Sequence, residues 1–139
     1  MVIPKKKESE TTLQDEVLSK ETISKILSTV SYSRAFFFYE EIGKPIGEVA
    51  VSLSDFCLKI NTIPLKSLVF HLERGDFENW IRDIIGDVEL ASRISKIRAK
   101  KDQTAKKKLY QCVSDRIEEL KEMWASILPN MTLITQVAE

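Results

Sequence analysis

The stretch FHLERGDFENWIRDIIGD, residues 70–87, decides the fold because it contains two helix ends that are each followed at once by a helix start. Gly75 and Gly86 stand where a helix can end, since glycine takes the left-handed conformation at little cost. Asp76 and Asp87 come next, and an aspartate before a helix accepts hydrogen bonds from its unpaired N–H groups. We therefore predict three consecutive helices joined by two very short turns.

Trp80 is the large apolar residue of this stretch, and we predict that it anchors the helices on either side. Together with its neighbours it forms a wide apolar stripe at helical spacing, as expected of a helix that faces a core. We therefore interpret the stretch as a packing centre and not as an active site. The structural motif consists of Gly75, Asp76, Phe77, Trp80, Gly86 and Asp87.

Further helix signals precede the motif. Ser52 and Asp55 form a capping box for a helix that runs to about Asn61. Pro64 can open the next helix, because the first helical turn does not use the N–H that proline lacks. That helix ends at Gly75. The sequence therefore predicts two helices immediately before the motif.

Helical periodicity continues after the motif. A helix that starts at Asp87 has an apolar face directed inward. Residues 98–108 are polar and basic, which is typical of a solvated helix or a mobile linker. A long amphipathic helix is predicted at roughly 104–128, ending before Pro129, because proline disrupts a helix interior. The apolar residues 129–139 either dock as an extended segment or need a partner.

The N-terminal part gives weaker signals. Residues 1–10 are expected to form a disordered tail that bears lysines. Thr12 and Asp15 provide a helix start signal for a helix at about 12–30. Its middle is less regular, so that a break near Ser19 is an alternative.

Residues 35–51 leave two interpretations open. The aromatic run from Ala35 to Tyr39 has no period, so it fits a buried strand or one turn of a buried helix. Gly43 and Gly47 then favour a loop. The segment is either a small β-hairpin or an irregular connection. The expected fold is therefore mainly α: a single-domain bundle of five to six helices over residues 11–128, with at most this hairpin.

The composition is that of an ordinary globular protein. The chain has 139 residues, 43% hydrophobic and 30% charged, with a formal net charge of zero, which indicates one domain and no overall attraction to nucleic acid or membrane. No apolar run approaches the roughly 20 residues of a membrane span, and the start MVIPKKKESE lacks the apolar core of a signal peptide. We therefore expect a cytoplasmic protein with no membrane partner. Cys57 and Cys112 are interpreted as buried small hydrophobes.

The motif residues support a resemblance to a known family. The pattern is His71, then Asp76-Phe77-x-x-Trp80-Ile81, then Gly86-Asp87-x-x-Leu90-Ala91, preceded by Gly47-x-x-Ala50-x-Ser52-Leu53-x-x-Phe56. It resembles a small prokaryotic, largely archaeal, domain family of unknown function. The resemblance covers roughly residues 36–98 well and the long last helix loosely. It implies a helical domain and an archaeal source, but no activity.

His71 is the only histidine and the centre of the one enzyme hypothesis. As a general base it would need a nearby carboxylate, for which Asp76 is a candidate, and Arg74 and Arg82 could hold an anion. The favoured alternative is a structural histidine that bonds a helix end or packs beside Trp80. No second histidine or CxxC supports a metal site, no cofactor is indicated, and no nucleotide-binding or hydrolase motif is present.

A basic segment, residues 93–108, suggests a second function. It carries eight Lys or Arg residues and one acid, and such a cluster can bind a phosphate backbone. A solvated face is the favoured alternative, because no base-reading or stacking motif accompanies the charge. The nucleic-acid-binding candidates are Arg93, Lys96, Arg98, Lys100, Lys101, Lys106, Lys107 and Lys108.

The terminal segments favour a protein partner. The apolar C-terminal segment and the amphipathic N-terminal helix lie outside the family-like core, and either could complete a homo-oligomer or bind another protein's groove or sheet edge. The sequence therefore favours a non-catalytic protein-interaction module, a small accessory or regulatory protein. Its alternatives are a nucleic-acid or ribonucleoprotein-associated factor and an enzyme centred on His71.

Overall fold

The computed structural model describes residues 18–98 and 103–138, with side chains up to residue 127. A 3₁₀ turn, Tyr32–Arg34, precedes the hairpin, and the helix Asp76–Trp80 continues as a π-helical turn, Ile81–Ile85. The predicted mainly α domain with a small hairpin is confirmed. The elements are α1 (Lys20–Ile26), β1 (Phe36–Glu41), β2 (Lys44–Ala50), α2 (Leu53–Thr62), α3 (Leu65–Arg74), α4 (Asp76–Trp80), α5 (Val88–Ser95) and α6 (Gln103–Ala138).

Most of the predicted helix ends are found. Ser52 Oγ accepts a hydrogen bond from the N–H of Asp55 at 3.0 Å and so caps α2. Gly75 and Gly86 have φ values of 75° and 94°, the left-handed conformation that the predicted stops require. Asp87 Oδ1 accepts from the N–H of Leu90 at 3.2 Å and caps α5. These ends follow from local sequence because each uses a partner within five residues.

The predicted capping role of Asp76 is wrong. Only Gly75 separates α3 from α4, so Asp76 already lies in the first turn of α4. Its carboxylate instead bonds His71 Nδ1 at 2.8 Å and Arg74 Nε at 2.9 Å, both on α3. The side chain therefore ties two helices together across the turn and does not close the start of one.

The predicted helix at 12–30 is shorter than expected. Ser19 Oγ accepts from the N–H of Thr22 at 3.1 Å and caps a helix that starts at Lys20, at the position that the sequence offers as an alternative break. The helix then ends at Ile26, because the N–H of Val30 is bonded to the carbonyl of Val51 beside the hairpin and is not available to a helix. The predicted start at 12 and 15 and the tail at 1–10 lie outside the described residues.

The aromatic run forms strand β1 of an antiparallel hairpin. Phe36 pairs with Ala50 and Phe37 with Val49, and the register shifts towards the turn. Phe36 and Phe38 are buried, whereas Phe37 between them is 37% exposed. This alternation is that of a strand with one face on the core, so the hairpin interpretation of 35–51 is the correct one.

The last helix does not end before Pro129. α6 runs from Gln103 to Ala138 and includes Pro129, so the extended alternative for the segment 129–139 is wrong for residues 129–138. Proline removes one helical hydrogen bond, but no glycine follows it to supply a left-handed stop. Of the predicted polar segment 98–108, residues 103–108 form the first turns of α6, and residues 99–102 lie outside the described part.

The core is one continuous cluster between the hairpin and the helices. α6 packs against α1, α2, α3 and α5. Cys57 is buried and Cys112 half-buried, both as free thiols whose pKa burial raises. At the hairpin end the core is aromatic, and it surrounds the residues that form the candidate site. The aromatic core residues are Phe36, Phe38, Phe56, Phe77 and Trp80.

Candidate functional site

His71 is a buried histidine with both ring nitrogens engaged. Only 3% of the residue is exposed. Nε2 lies 2.8 Å from the backbone nitrogen of Tyr39, and Nδ1 lies 2.8 Å from Asp76 Oδ2. Because a backbone N–H can only donate, Nε2 must be an acceptor, which places the ring proton on Nδ1. His71 is therefore a neutral imidazole that donates to Asp76.

The environment of His71 favours this neutral form. Burial lowers the pKa of the imidazole below its ordinary value of 6.5, and this effect outweighs the opposing influence of the Asp76 carboxylate; nearby Arg74 lowers the pKa further. Aromatic rings surround the imidazole, with ring centroids 4.8 Å away for Phe36 and 5.3 Å for Phe77. A charged imidazolium would lose its hydration here, so neutrality is the expected state.

Two side chains of α3 hold the backbone of Tyr39. His71 accepts from its N–H, and Ser67 Oγ donates to its carbonyl at 2.7 Å. Ser67 and His71 are four residues apart, which places them on one face of the helix. Tyr39 is paired in register with Pro45, which has no N–H to offer to the hairpin. α3 therefore satisfies the polar groups of β1 and fixes the hairpin to the helical domain.

The residues of the enzyme hypothesis do not assemble into a catalytic site. His71 and Asp76 are brought together, but Arg82 Nε and Nη2 bond Asp83 and Asn79. A general base must reach the proton that it abstracts, whereas His71 is buried with no free ring nitrogen. The arginine that does reach Asp76 is Arg74. These observations argue against acid–base catalysis by His71.

An open groove of about 400 Å³ lies above His71, between the hairpin, α3 and the start of α4. Its floor is formed by buried rings and by the hydrogen-bonded pair of His71 and Asp76. Its rim carries exposed apolar residues of the hairpin, with Ile42 at the tip 81% exposed. The lining residues used below are Phe37, Ile42, Phe70, Arg74, Asp76 and Trp80.

The groove walls are fixed by specific bonds. Trp80 Nε1 donates to the carbonyl of Arg34 at 2.9 Å, so the predicted anchor also holds the turn that leads into β1. The Trp80 ring contacts Phe36 and Phe56, with centroids 5.6 Å away in both cases. The prediction that Trp80 is a packing anchor is therefore correct. Its indole forms a rigid part of the groove.

The basic segment contains one arginine that is not available to a ligand. Arg93 donates to Glu89 at 2.8 Å and to both carboxylate oxygens of Glu119 at 2.8 and 2.9 Å. The hydrogen bonds to Glu119 raise the pKa of Arg93. Of the other candidates, Lys106 is half-buried, and Lys100 and Lys101 lie outside the described residues. The exposed candidates are Lys96, Arg98, Lys107 and Lys108.

A buried ion pair lies next to the bonded pair of Arg93 and Glu119. Arg116 Nε and Nη2 bond the two carboxylate oxygens of Asp87 at 2.9 and 3.0 Å. Asp87 is 1% and Arg116 3% exposed. Arg116 Nη1 also donates to Glu119 at 3.2 Å. The Glu119 carboxylate therefore bonds both Arg93 and Arg116. The sequence gives no signal for this pair, because Asp87 and Arg116 are 29 residues apart.

Comparison of the chain with protein-family models, with curated proteins and with solved structures returned no match. The family resemblance of residues 36–98 therefore stays a prediction. Among the described residues, no helix has the length and apolarity needed to cross a membrane. Within the same part of the chain, no group of three or more histidine, cysteine, aspartate and glutamate side chains is arranged to hold a metal ion.

Proposed function

We propose that this chain is a non-catalytic protein-interaction module, a small cytoplasmic accessory or regulatory protein, and that the groove above His71 is its docking surface. One observation carries the proposal. Five large apolar residues are more than a third exposed in the described part of the chain, and three of them gather at this groove: Tyr32, Phe37 and Ile42. Phe37 and Ile42 line the groove, and the Tyr32 ring packs edge-on against Phe37, with centroids 5.1 Å apart.

A cluster of this kind is a common feature of interaction surfaces. Single exposed apolar residues are normal, but neighbouring ones keep apolar area in water that a partner can cover. Ile42 is 81% exposed at the hairpin tip, where a polar residue would serve a turn equally well. Aromatic residues such as Tyr32 and Phe37 are also enriched at the centres of protein interfaces.

The groove is suited to binding because its walls are already in place. Bonds from His71 and Ser67 fix Tyr39 on β1, and the bond from Trp80 fixes the carbonyl of Arg34. A partner would therefore meet a formed surface and would not have to order the hairpin first. Such preorganisation lowers the entropic cost of association.

Affinity capture from a lysate of the source organism tests the proposal. The full chain is compared with Ile42→Asp and Phe37→Ser, and with Leu58→Asp as matched control, because Leu58 is 66% exposed on α2 outside the groove. We expect partners that survive nuclease and high salt, are lost with both groove variants and are retained by the control. Partners retained by both groove variants would contradict the proposal. Circular dichroism confirms that each variant is folded.

The same experiment tests the alternative proposal, phosphate-backbone binding through residues 93–108. The exposed Lys107 and Lys108 at the start of α6 support that alternative. It predicts partners that disappear with nuclease or high salt, because counterion release makes backbone binding strongly salt-dependent. It also predicts loss of partners on charge removal at Lys107 and Lys108 and no effect of Ile42→Asp.

A further inference from the structure

We propose that the groove binds a peptide segment in which a large apolar side chain lies next to a carboxylate, and that Arg74 is the residue that binds this carboxylate. The inference rests on the proposed function, because it names the chemistry of the partner for the same groove. Three observations support it. Arg74 lies in the groove wall, its two Nη groups have no acceptor among the described residues, and Asp76 is the one other charged residue of the lining.

Arg74 is held in place at the groove wall. Its Nε donates to Asp76 Oδ2 at 2.9 Å, and its guanidinium carbon lies 5.2 Å from the centroid of the Phe70 ring. The bond and the ring contact restrict the side chain from two sides, yet 49% of it remains exposed. An arginine fixed in this way has already lost part of the rotamer entropy that binding would otherwise cost.

The outer end of Arg74 is available to an acceptor. Neither Nη1 nor Nη2 has an acceptor among the described residues, while Nε is used by Asp76. These two groups form the fork that binds a carboxylate through two parallel hydrogen bonds. The Asp76 carboxylate is better satisfied, since Oδ2 already receives hydrogen bonds from His71 and Arg74. The groove therefore offers unpaired donors to an acidic group.

Few charged residues line the groove. Arg74 and Asp76 are the only residues of the lining that carry a charge, since His71 is neutral. The two charges offset each other, and Asp76 Oδ2 already receives hydrogen bonds from His71 and Arg74. An acidic group would therefore bind through the unpaired Nη donors of Arg74, beside the apolar surface of the groove, as hydrogen bonds to a charged group.

The shape of the apolar surface favours a peptide over a small molecule. Small-molecule sites enclose most of their ligand, whereas this groove is open and its rim carries the strongly exposed Ile42. The apolar surface also continues beyond the groove to Tyr32, which packs against Phe37. A chain that crosses the rim could place one side chain on Phe37 and Ile42 and a carboxylate at Arg74.

A selection from a randomised 12-residue peptide library displayed on phage tests this inference with the full chain as target. Enriched peptides are synthesised and their Kd values are measured by fluorescence anisotropy. The variants are Arg74→Gln and Ile42→Ser. Arg82→Gln is the matched control, because Arg82 is also about half exposed and also bonds an aspartate through Nε, but it does not line the groove.

We expect enriched peptides that combine a large apolar residue with Asp or Glu. Arg74→Gln should weaken their binding by about 10- to 100-fold, as the loss of hydrogen bonds to a charged group does. Amidation of the peptide carboxylate should weaken it to a similar extent, and Arg82→Gln should leave it unchanged. Ile42→Ser should weaken binding through the apolar contact.

Three results would overturn the inference, and they separate it from the proposed function. Peptides that lose affinity with Ile42→Ser but not with Arg74→Gln would show that Arg74 binds no carboxylate, while the groove would remain a docking surface. Basic peptides would also overturn the carboxylate, and they would point to Glu40 and Glu73, which line a neighbouring pocket that shares Phe70. A selection without enriched peptides, or peptides whose binding neither variant changes, would show that the groove is not a peptide site. The proposed function is tested separately by the lysate capture.

Discussion

Replacing His71 by Phe tests the structural role of the imidazole directly. Phenylalanine keeps an aromatic ring within the cluster of Phe36 and Phe77 but has no nitrogen. The N–H of Tyr39 would lose its acceptor, and Asp76 would keep only its bond to Arg74. The substitution therefore removes the two hydrogen bonds of His71 while changing the packing little.

The expected magnitude follows from the two lost bonds. A buried backbone N–H without an acceptor costs about 1–3 kcal/mol. The lost bond to Asp76 adds little, because this carboxylate is partly exposed and water can replace the donor. We therefore expect His71→Phe to lower the free energy of unfolding by about 1–3 kcal/mol, a sizeable part of the roughly 5–15 kcal/mol of a small domain.

Urea denaturation followed by tryptophan fluorescence measures this loss. Ser67→Ala is the matched comparison, because it removes the bond to the carbonyl of the same residue, Tyr39, and should cost about 1 kcal/mol. His71→Ala should cost more than His71→Phe, because it also removes the ring from the aromatic cluster and leaves a cavity. The slope of the transition should stay the same in all variants if only the native state is affected.

A His71→Phe variant as stable as the wild type would refute the reasoning, because it would show that the bond to Tyr39 contributes nothing to the fold. A loss in His71→Phe as large as in His71→Ala would also contradict it. That result would mean that phenylalanine cannot occupy the site, and that the cost is steric and not due to the missing acceptor.

Three further predictions concern other parts of the same core. Trp80→Ala should lower the free energy of unfolding by about 3–5 kcal/mol, and an unchanged thermal melt would show that Trp80 is no anchor. Arg116→Met leaves the buried Asp87 charge unpaired and should cost about 3–5 kcal/mol; adding Asp87→Asn, which keeps a helix cap, should recover part of this loss in urea melts. Because burial lowers the pKa of His71 below 6.5, the unfolded chain takes up the proton first. The contribution of His71 to stability should therefore be constant above about pH 7 and fall as the pH drops below about 6.5. Urea melts at several pH values should show this fall in the wild type and not in His71→Phe.

The sequence predicts those parts of the fold that use local partners. Gly75, Gly86 and Ser52 each act within a few residues, and the structure has them as predicted. Asp76 was assigned wrongly because its partners, His71 and Arg74, belong to the preceding helix. Local capping rules cannot weigh such a tertiary partner against the nearest N–H group.

The candidate site could be predicted only in part. The sequence favours a structural role for His71 and indicates that Arg74 or Arg82 could hold an anion, but it does not show which of the two lies in the groove. The contact of Arg74 with Phe70 has a local signal, since the two residues are four apart and therefore adjacent on a helix. The ion pairs that neutralise Arg93 and Asp87 join residues 26 and 29 positions apart, and no local pattern reveals them.

The nitrogen chemical shifts of His71 test most directly the central claim, that this residue is a neutral structural histidine and not a catalytic base. The chain has one histidine, so ¹⁵N labelling of histidine gives one set of ring signals. We predict a protonated Nδ1 and an Nε2 that accepts a hydrogen bond, with a pKa below 6.5. A proton on Nε2, or a pKa at or above 6.5, would contradict the claim and return His71 to the list of catalytic candidates.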